Sequence, residues 1–284
     1  MRLGVVELLP AEPRAIDAAS ALAVRSAGFA GVSVILGDPI STSTTELTRV
    51  RRVLSNAGLA VAQVNAQYEA LVNPAEPLRQ AGVRALQQAC RAARWLGADN
   101  AYVRPGGLNP RGHWLPHPEN TSPATFDRLA RSLREVVPVA EAEGVRLAVE
   151  GHVLSPLPTL ERVRDLFDAV GSPALGFNAD PVNFVGSLTE AYGTTALIDR
   201  MFNLLGSVTV CAHAKDLLVE ERFVLHISEC VIGTGLLDQV TFLRRFQAAC
   251  PNGFVLIEHL SPDLIPQARD GLLAAAARAG LTFD

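Results

Sequence analysis

Eight short apolar segments recur along this chain, and a stretch long enough for a helix follows most of them. Such apolar runs are typical of buried parallel strands, whereas the stretches between them have the periodicity of amphipathic helices. The alternation predicts a parallel α/β fold. Candidate strands cover residues 3–8, 31–36, 60–66, 100–104, 145–150, 174–180, 208–214 and 253–259.

The joints between helices and strands indicate how this sheet is wound. Candidate helices cover residues 15–27, 45–57, 78–96, 123–142, 160–170, 236–249 and 262–279. Gly28, Gly58, Gly97 and Gly144 each stand between a helix and the next strand, as a left-handed C-terminal cap requires. The repeated joint favours a closed (β/α)8 barrel, and 284 residues suit a single TIM-barrel domain over 1–284.

An open doubly wound sheet is the alternative architecture. Its first strand should lead into a glycine-rich phosphate loop, but the first candidate strand here is followed by Leu9 and Pro10 and leads into no such loop. The barrel interpretation adds two extended loops, 106–122 after strand 4 and 216–235 after strand 7, the second with a hairpin in FVLHISECVIGTG. Both would lie over the carboxyl-end mouth as candidate lids.

Four polar residues stand at the ends of four successive apolar runs in the second half of the chain. They are Glu150, Asp180, His213 and Glu258. The carboxyl ends of barrel strands converge, so these side chains should meet at one mouth, where three acids would repel one another without a cation. Three carboxylates and one imidazole suit Mn, Mg, Co or Zn, and the oxygen-rich set favours Mn or Mg.

Charge and cysteine content limit the other partners. The net charge is −4, and Lys215 is the only lysine, so the chain lacks the clustered positive charge that nucleic acid binding needs. No stretch approaches the roughly 20 apolar residues that cross a bilayer, and the N-terminal apolar run is too short for a signal peptide. The four cysteines show no CxxC pairing, which favours free thiols and a cytoplasmic location.

Five motifs follow one another in the second half of the chain: Val149-Glu150-Gly151-His152, Asn178-Ala179-Asp180-Pro181-Val182-Asn183, His213-Ala214-Lys215-Asp216, Ile232-Gly233-Thr234-Gly235 and Ile257-Glu258. In order and in spacing they resemble the xylose-isomerase-like barrels of the sugar isomerase and epimerase superfamily. The resemblance implies that Glu150, Asp180, His213 and Glu258 bind one divalent ion. It also implies that Glu150 and Glu258 act as the acid and base of a proton transfer, and that the protein forms a homo-oligomer.

Six further residues are candidate substrate contacts, and each has a structural alternative. They are His152, Asn183, Lys215, Arg104, Asn65 and Glu7. His152 could instead cap a loop, Lys215 could form a buried ion pair with Asp216 or another acid, and the last three could be rim hydrogen bonds. Arg104 could also pair with a carboxylate or phosphate of the ligand. Some relatives carry a titratable histidine where Asn183 stands, so no individual member's mechanism transfers directly.

The ligand set with its two glutamates predicts a metal-dependent isomerase or epimerase of a small carbohydrate that transfers a proton next to a carbonyl. The resemblance implies a substrate of the ketose or inosose type. One alternative is a lyase of the same barrel family, similar to C-glycoside deglycosidases or inosose dehydratases. Another is a barrel that binds carbohydrate without turnover. A nuclease for apurinic sites would need more histidines than the six present and a basic channel. The chain has no phosphate-binding Gly or Lys cluster, which favours an unphosphorylated sugar.

Overall fold

Eight parallel strands form a closed barrel in the computed structural model, which describes residues 1–284. The barrel strands are β1 (Arg2–Val5), β2 (Gly31–Leu36), β3 (Ala60–Ala66), β4 (Asn100–Val103), β5 (Arg146–Val149), β6 (Leu175–Ala179), β7 (Thr209–Ala214) and β10 (Phe254–Ile257). They follow one another around the barrel in chain order, and β10 pairs with both β7 and β1 to close it. The predicted (β/α)8 barrel is therefore confirmed.

Nine α-helices accompany the strands. They are α1 (Ala18–Ser26), α2 (Thr44–Asn56), α3 (Glu76–Leu96), α4 (Pro123–Glu143), α5 (Leu160–Val170), α6 (Leu188–Tyr192), α7 (Thr194–Leu205), α8 (Gln239–Ala249) and α9 (Ile265–Ala279). The seven predicted helices agree with the observed ones to within three residues at each end. Sequence reasoning did not assign α6 and α7, which are separated only by Gly193.

The glycines between helices and strands have the predicted conformation. Gly28, Gly58, Gly97 and Gly144 have φ angles of 91°, 74°, 69° and 67°. This left-handed region is open to glycine at little cost, whereas a Cβ would be strained there. At Gly97 and Gly144 the backbone N–H donates to carbonyls of the last helical turn, so each glycine ends its helix and directs the chain back into the barrel.

A close approach between strands explains a glycine of another kind. Gly31 lies at the start of β2, and a Cβ built there would stand 2.3 Å from the ring of Phe254 on β10. Phe254 and Leu256 lie four and two positions before Glu258, so their side chains point to the same face of the strand as Glu258. Together with Ala62 and Cys211 they belong to a small buried apolar cluster. This cluster fills the barrel beneath the polar residues at the mouth.

Two connections are built over the carboxyl-end mouth. After β7 the chain forms an antiparallel hairpin of β8 (Asp216–Val219) and β9 (Ile227–Cys230), so the first hairpin strand lies before the string predicted for it. Asp216 fixes the return of this hairpin by accepting hydrogen bonds from the backbone N–H groups of Gly233, Gly235 and Leu237. After β4, Asn120 donates to the carbonyl of Leu154 and so fastens one loop to the next.

None of the helices has both the length and the apolar character that crossing a membrane requires.

Candidate metal centre

Four strand ends bring the predicted ligand set together. Glu150, Asp180 and Glu258 directly follow β5, β6 and β10, and His213 is the penultimate residue of β7. One candidate ligand atom from each lies within 4.8 Å of the others, and all four residues are buried. The register of the sheet pairs His213 with Leu256 of β10, two residues before Glu258. Four consecutive barrel strands thus supply one compact cluster.

Short contacts link the members of this cluster. The Nδ1 atom of His213 lies 2.9 Å from Glu150 Oε1 and 3.0 Å from Glu258 Oε2. The Nζ atom of Lys215 lies 2.8 Å from Asp180 Oδ2 and 3.1 Å from Glu258 Oε2. Three buried carboxylates therefore surround two nitrogen atoms, and the cluster needs positive charge to remain buried.

The residues present fit a divalent cation. Oδ1 of Asp180 is buried without a hydrogen-bond partner, and Nδ1 of His213 contacts only carboxylate oxygens, as expected of atoms that face a common ligand. Burial alone lowers the pKa of His213, but the carboxylates of Glu258 and Glu150 outweigh it and raise this pKa to about 10. Burial raises the pKa of Asp180 to about 6. The cluster therefore favours a proton on His213 or Asp180, and a bound cation would supply the same positive charge in its place.

A chain of amides fixes which nitrogen of His213 faces the carboxylates. The backbone carbonyl of Ala62 can only accept, so Asn100 turns its Nδ2 toward it at 3.1 Å. Asn100 Oδ1 then accepts from Gln63 Nε2 at 3.0 Å, which leaves Gln63 Oε1 to face His213 Nε2 at 3.1 Å. Nε2 must therefore carry a hydrogen. Neutral His213 presents its Nδ1 lone pair to the cluster, as metal ligation requires.

Two further side chains orient Glu150. The hydroxyl of Tyr102 donates to Glu150 Oε2 at 2.7 Å, and Asn178 Nδ2 donates to Glu150 Oε1 at 2.7 Å. Asn178 in turn accepts from Gln63 Nε2 at 3.4 Å, so the same amide chain supports both His213 and Glu150. Burial opposes ionisation of Glu150, but the charge and hydrogen bond of His213, together with the charge of Lys215, outweigh it and lower the pKa of this carboxyl. Glu150 is thus held as an oriented carboxylate.

A cleft of about 260 Å³ opens above the cluster. Its lining residues are Val6, Glu7, Ile35, Asn65, Tyr102, Arg104, Trp114, Glu150, His152, Asn183, Lys215, Glu229, Glu258 and His259. All six predicted substrate contacts are among them, together with two of the four predicted metal ligands. The cleft is polar at its floor and has an aromatic side chain from the loop after β4. This size and composition suit a small polar molecule.

His152 both fastens a loop and faces the cleft. Its Nδ1 accepts from the backbone N–H of Leu154 at 3.0 Å, and its ring lies against Trp114 with 5.4 Å between centroids. Burial is the main cause that lowers the pKa of His152 to about 4, so the ring is neutral near pH 7. Because Nδ1 is an acceptor, Nε2 carries the hydrogen. The predicted alternatives of substrate contact and loop cap are therefore compatible.

Glu7, at the rim of the barrel, also combines a structural hydrogen bond with a place in the lining of the cleft. Glu7 Oε1 accepts from the backbone N–H of His259 at 3.1 Å, a rim hydrogen bond that joins the chain after β1 to the chain after β10. Glu7 Oε2 and Asn65 Oδ1 are buried without partners and belong to residues that line the cleft. His259 has a φ of 64°, the only positive value outside glycine. Such backbone strain is concentrated at functional sites.

Lys215 pairs with other acids than Asp216. Its Nζ contacts Asp180 and Glu258, and it donates to Asn183 Oδ1 at 3.4 Å. Asp216 points to the backbone N–H groups of the hairpin loop instead. The suggested ion pair between Lys215 and Asp216 is therefore wrong, and the alternative of another acid is correct. The lysine joins the carboxylate cluster to the wall of the cleft.

Sequence reasoning missed several residues of this centre. Gln63, Tyr102 and Asn178 were not among the candidates, yet each lies two positions before one that was: Asn65, Arg104 and Asp180. Side chains two apart share a face of a strand, so this spacing was a usable signal. Glu229 and His259, which contact each other at 3.1 Å, carried no such signal because the hairpin brings them together.

Comparison with known proteins places the chain in one family. A family model described as "Xylose isomerase-like TIM barrel" matches residues 21–280. Among curated proteins, the chain is 42% identical over 67 residues to a C-glycoside deglycosidase alpha subunit of Microbacterium trichothecenolyticum. It is 31% identical over 150 residues to a 3-oxo-isoapionate decarboxylase of Pectobacterium atrosepticum. These matches cover 22% and 50% of the chain, but only 18% and 49% of the two relatives.

Solved structures share the fold over nearly the whole chain. A xylose isomerase domain protein from Planctomyces limnophilus superimposes with a TM-score of 0.75 at 19% identity, over 98% of both chains. An L-ribulose 3-epimerase gives 0.73 at 17% identity, over 98% of this chain and 97% of that one. A Mycobacterium smegmatis barrel in complex with magnesium gives 0.73 at 17% identity, over 96% and 95%. At these identities the likeness shows the fold alone.

Proposed function

Because the chain belongs to the xylose isomerase-like TIM-barrel family, we propose that it is a divalent-metal-dependent isomerase or epimerase of a small carbohydrate. The observation that carries this proposal is the buried cluster of Glu150, Asp180, His213 and Glu258 beneath a polar cleft. An epimerase and a magnesium-bound barrel among the similar structures support it. A binding protein without chemistry would have little use for three buried carboxylates.

The four clustered side chains would hold the ion. Manganese or magnesium suits the three carboxylates, and the imidazole also permits cobalt or zinc. When bound, the ion supplies Lewis-acid polarisation of a substrate carbonyl, which makes the neighbouring C–H more acidic. Gln63, through His213, keeps the nitrogen ligand in the correct tautomer.

Glu150 and Glu258 are the proposed proton-transfer pair. Each lies at about 3 Å from His213 Nδ1, one on β5 and the other on the β10 side. In the metal-free cluster, burial opposes ionisation of Glu258, but the charges of His213 and Lys215 outweigh it and hold the pKa of Glu258 well below its usual range. A bound ion would supply the positive charge in place of the His213 proton, so Glu258 would still begin as a carboxylate. Tyr102 donates a hydrogen bond to Glu150, and burial raises the pKa of Tyr102 well above its usual value, so the hydroxyl keeps its proton and would hold the carboxylate in orientation.

The remaining cleft residues would position the substrate. Lys215 and the Nε2–H group of His152 are donors suited to hydroxyl or carbonyl oxygens, while Asn183, Asn65 and Glu7 offer acceptors. The ring of Trp114 provides an apolar surface of the kind that packs against the C–H face of a sugar. The loops after β4 and β7 limit the access of water to this space.

Solvent exchange tests the proton transfer directly. Protein stripped with chelator and reloaded with Mn²⁺ should hold about one ion per chain, and Asp180→Ala should hold none. In D₂O, a panel of ketoses and inososes should reveal deuterium entering one substrate C–H by NMR. Glu150→Gln and Glu258→Gln keep a ligand oxygen but cannot accept a proton, so exchange should fall about 100- to 10,000-fold with Mn²⁺ still bound. Full-rate exchange in both variants would exclude these roles.

A lyase of the same family is the second candidate. The two curated relatives that support it are named as a decarboxylase and as a C-glycoside deglycosidase subunit. The same metal cluster and carboxylates would then assist bond cleavage. Mass spectrometry separates the two reactions, since an epimerase leaves the substrate mass unchanged and a lyase releases carbon dioxide or an aglycone.

A further inference from the structure

Arg104 is a buried cation without a counter-ion. It follows β4, its side chain is only 7% exposed, and it lines the cleft. Its Nε is buried without a hydrogen-bond partner, and Nη2 reaches only the carbonyl of Tyr68 at 3.4 Å. A buried charge is costly unless it is paired or meets a ligand. The position therefore calls for an anion that the chain itself does not provide.

The other buried arginine shows what compensation looks like in this protein. Arg79 is 1% exposed, and it forms ion pairs with Glu76 and, at 2.8 Å, with Glu135, as well as a hydrogen bond to Ser132. One carboxylate partner, Glu76, lies on the same helix α3 as Arg79, and the other, Glu135, lies on the neighbouring helix α4. The contrast sets Arg104 apart from an ordinary structural arginine.

Tyr68 holds Arg104 in place. The Tyr68 hydroxyl accepts from the backbone N–H of Arg104 at 2.7 Å and donates to the backbone carbonyl of the same residue at 3.1 Å. The guanidinium carbon lies 4.8 Å from the centre of the Tyr68 ring, so the cation rests against an aromatic face. Because its backbone and its guanidinium are both fixed by one buried side chain, Arg104 is preorganised before a ligand arrives.

We propose that Arg104, supported by Tyr68, is an anion subsite that selects carbohydrates bearing a carboxylate group. This inference rests on the proposed function, because it places the carboxylate in the cleft above the same metal cluster. A planar guanidinium matches a planar carboxylate through two parallel hydrogen bonds. The cleft offers the anion no lysine cluster or glycine-rich loop of the kind that usually surrounds a phosphate. The substrate class is therefore a sugar acid.

Calorimetry on Mn²⁺-loaded protein tests the subsite without requiring turnover. The probes are two matched pairs, D-threonate with threitol and D-gluconate with D-glucitol, in which the members differ only by a carboxylate in place of a hydroxymethyl group. At least one acid should bind about 10- to 100-fold more tightly than its neutral partner. Arg104→Met and Arg104→Gln should each abolish that preference while Mn²⁺ affinity stays unchanged.

Arg111→Met is the matched control. It removes an exposed arginine from the same loop, so a general loss of positive charge at the mouth would affect it equally. This variant should keep the full preference for the acid.

Three results would overturn the subsite. The acids could bind no more tightly than the polyols in the unaltered protein. Both Arg104 variants could retain the preference, which would place the carboxylate on the metal ion. D-glucitol 6-phosphate could bind more tightly than gluconate in an Arg104-dependent way, which would make the ligand a phosphate. A protein that binds the acids through Arg104 but catalyses no exchange or cleavage would instead refute the proposed function alone.

Discussion

Replacing Gln63 by methionine tests whether the amide chain controls the metal ligand. Gln63 accepts from His213 Nε2 and donates to Asn100 Oδ1, and it is fully buried. Methionine has a similar length but makes neither of these hydrogen bonds, nor the longer one of 3.4 Å to Asn178 Oδ1. The two closer partners, His213 Nε2 and Asn100 Oδ1, therefore account for most of the loss. Each such loss costs about 1–3 kcal/mol, and the apolar methionine offsets part of it, so the free energy of unfolding should fall by about 2–4 kcal/mol.

The effect on metal binding follows from orientation. Without Gln63, the ring of His213 is free to rotate or to move its hydrogen to Nδ1, the atom that must face the ion. Loss of such a supporting contact typically weakens metal affinity about 10- to 100-fold. Titration of chelator-stripped protein with Mn²⁺ by calorimetry measures this change. Ser33→Ala, which removes a buried hydroxyl that has no partner, serves as the control and should bind Mn²⁺ normally. Unaltered affinity in Gln63→Met would refute the reasoning.

Two further predictions concern stability. Burial lowers the pKa of His152 from 6.5 to about 4, so below pH 6.5 the unfolded chain binds a proton that the folded chain does not, and stability falls as pH decreases toward 4. The free energy of unfolding, measured in urea on metal-stripped protein, should therefore fall between pH 7 and pH 5 by about 1–2 kcal/mol less in His152→Gln than in the unaltered protein. An equal fall in both proteins would contradict this. Gly31→Ala drives a Cβ into the Phe254 ring and should lower the free energy of unfolding by about 3 kcal/mol. Gly144→Ala should lower it by only about 1 kcal/mol, because a Cβ at Gly144 has no neighbour within 4 Å and is opposed only by the positive φ. Similar thermal stabilities of the two glycine variants would show that the barrel relaxes around the new methyl group.

The sequence predicted the barrel because its signals are local and repeated. An apolar run specifies a buried strand, a glycine such as Gly97 specifies the end of a helix, and eight repetitions leave few topologies. The candidate ligands were predictable for a related reason. Once the strands are parallel, Glu150, Asp180 and Glu258 stand at equivalent strand ends, and all equivalent ends of a barrel face the same mouth.

Local patterns were weaker where an element is short or irregular. Gly193 interrupts the helical periodicity between α6 and α7, and the hairpin after β7 begins at Asp216, several residues before the string in which the hairpin was predicted. The start of the hairpin is decided by the backbone pairing of β8 with β9 and by the hydrogen bonds of Asp216 to the hairpin's return. Both involve residues outside β8, so the sequence of β8 alone does not specify them.

The pairings within the site were decided by tertiary structure. Sequence alone placed Lys215 near acids, but only the barrel shows that it contacts Asp180 and Glu258 while Asp216 turns away. Sequence alone made Arg104 a candidate contact, but its lack of a carboxylate partner is visible only when every neighbour is present.

The apolar periodicity of the chain thus determined the strands, because hydrophobic burial and backbone geometry act over a few residues. The residues at the strand ends determined which types of ligand the site has. Which atoms meet at the mouth depends on the closure and register of eight strands that are far apart in the chain. His213 receives its tautomer from Gln63, which is 150 residues away, and no local pattern specifies a hydrogen bond of that range. The fold was therefore determined by repetition along the sequence, and the chemistry of the site by convergence in space.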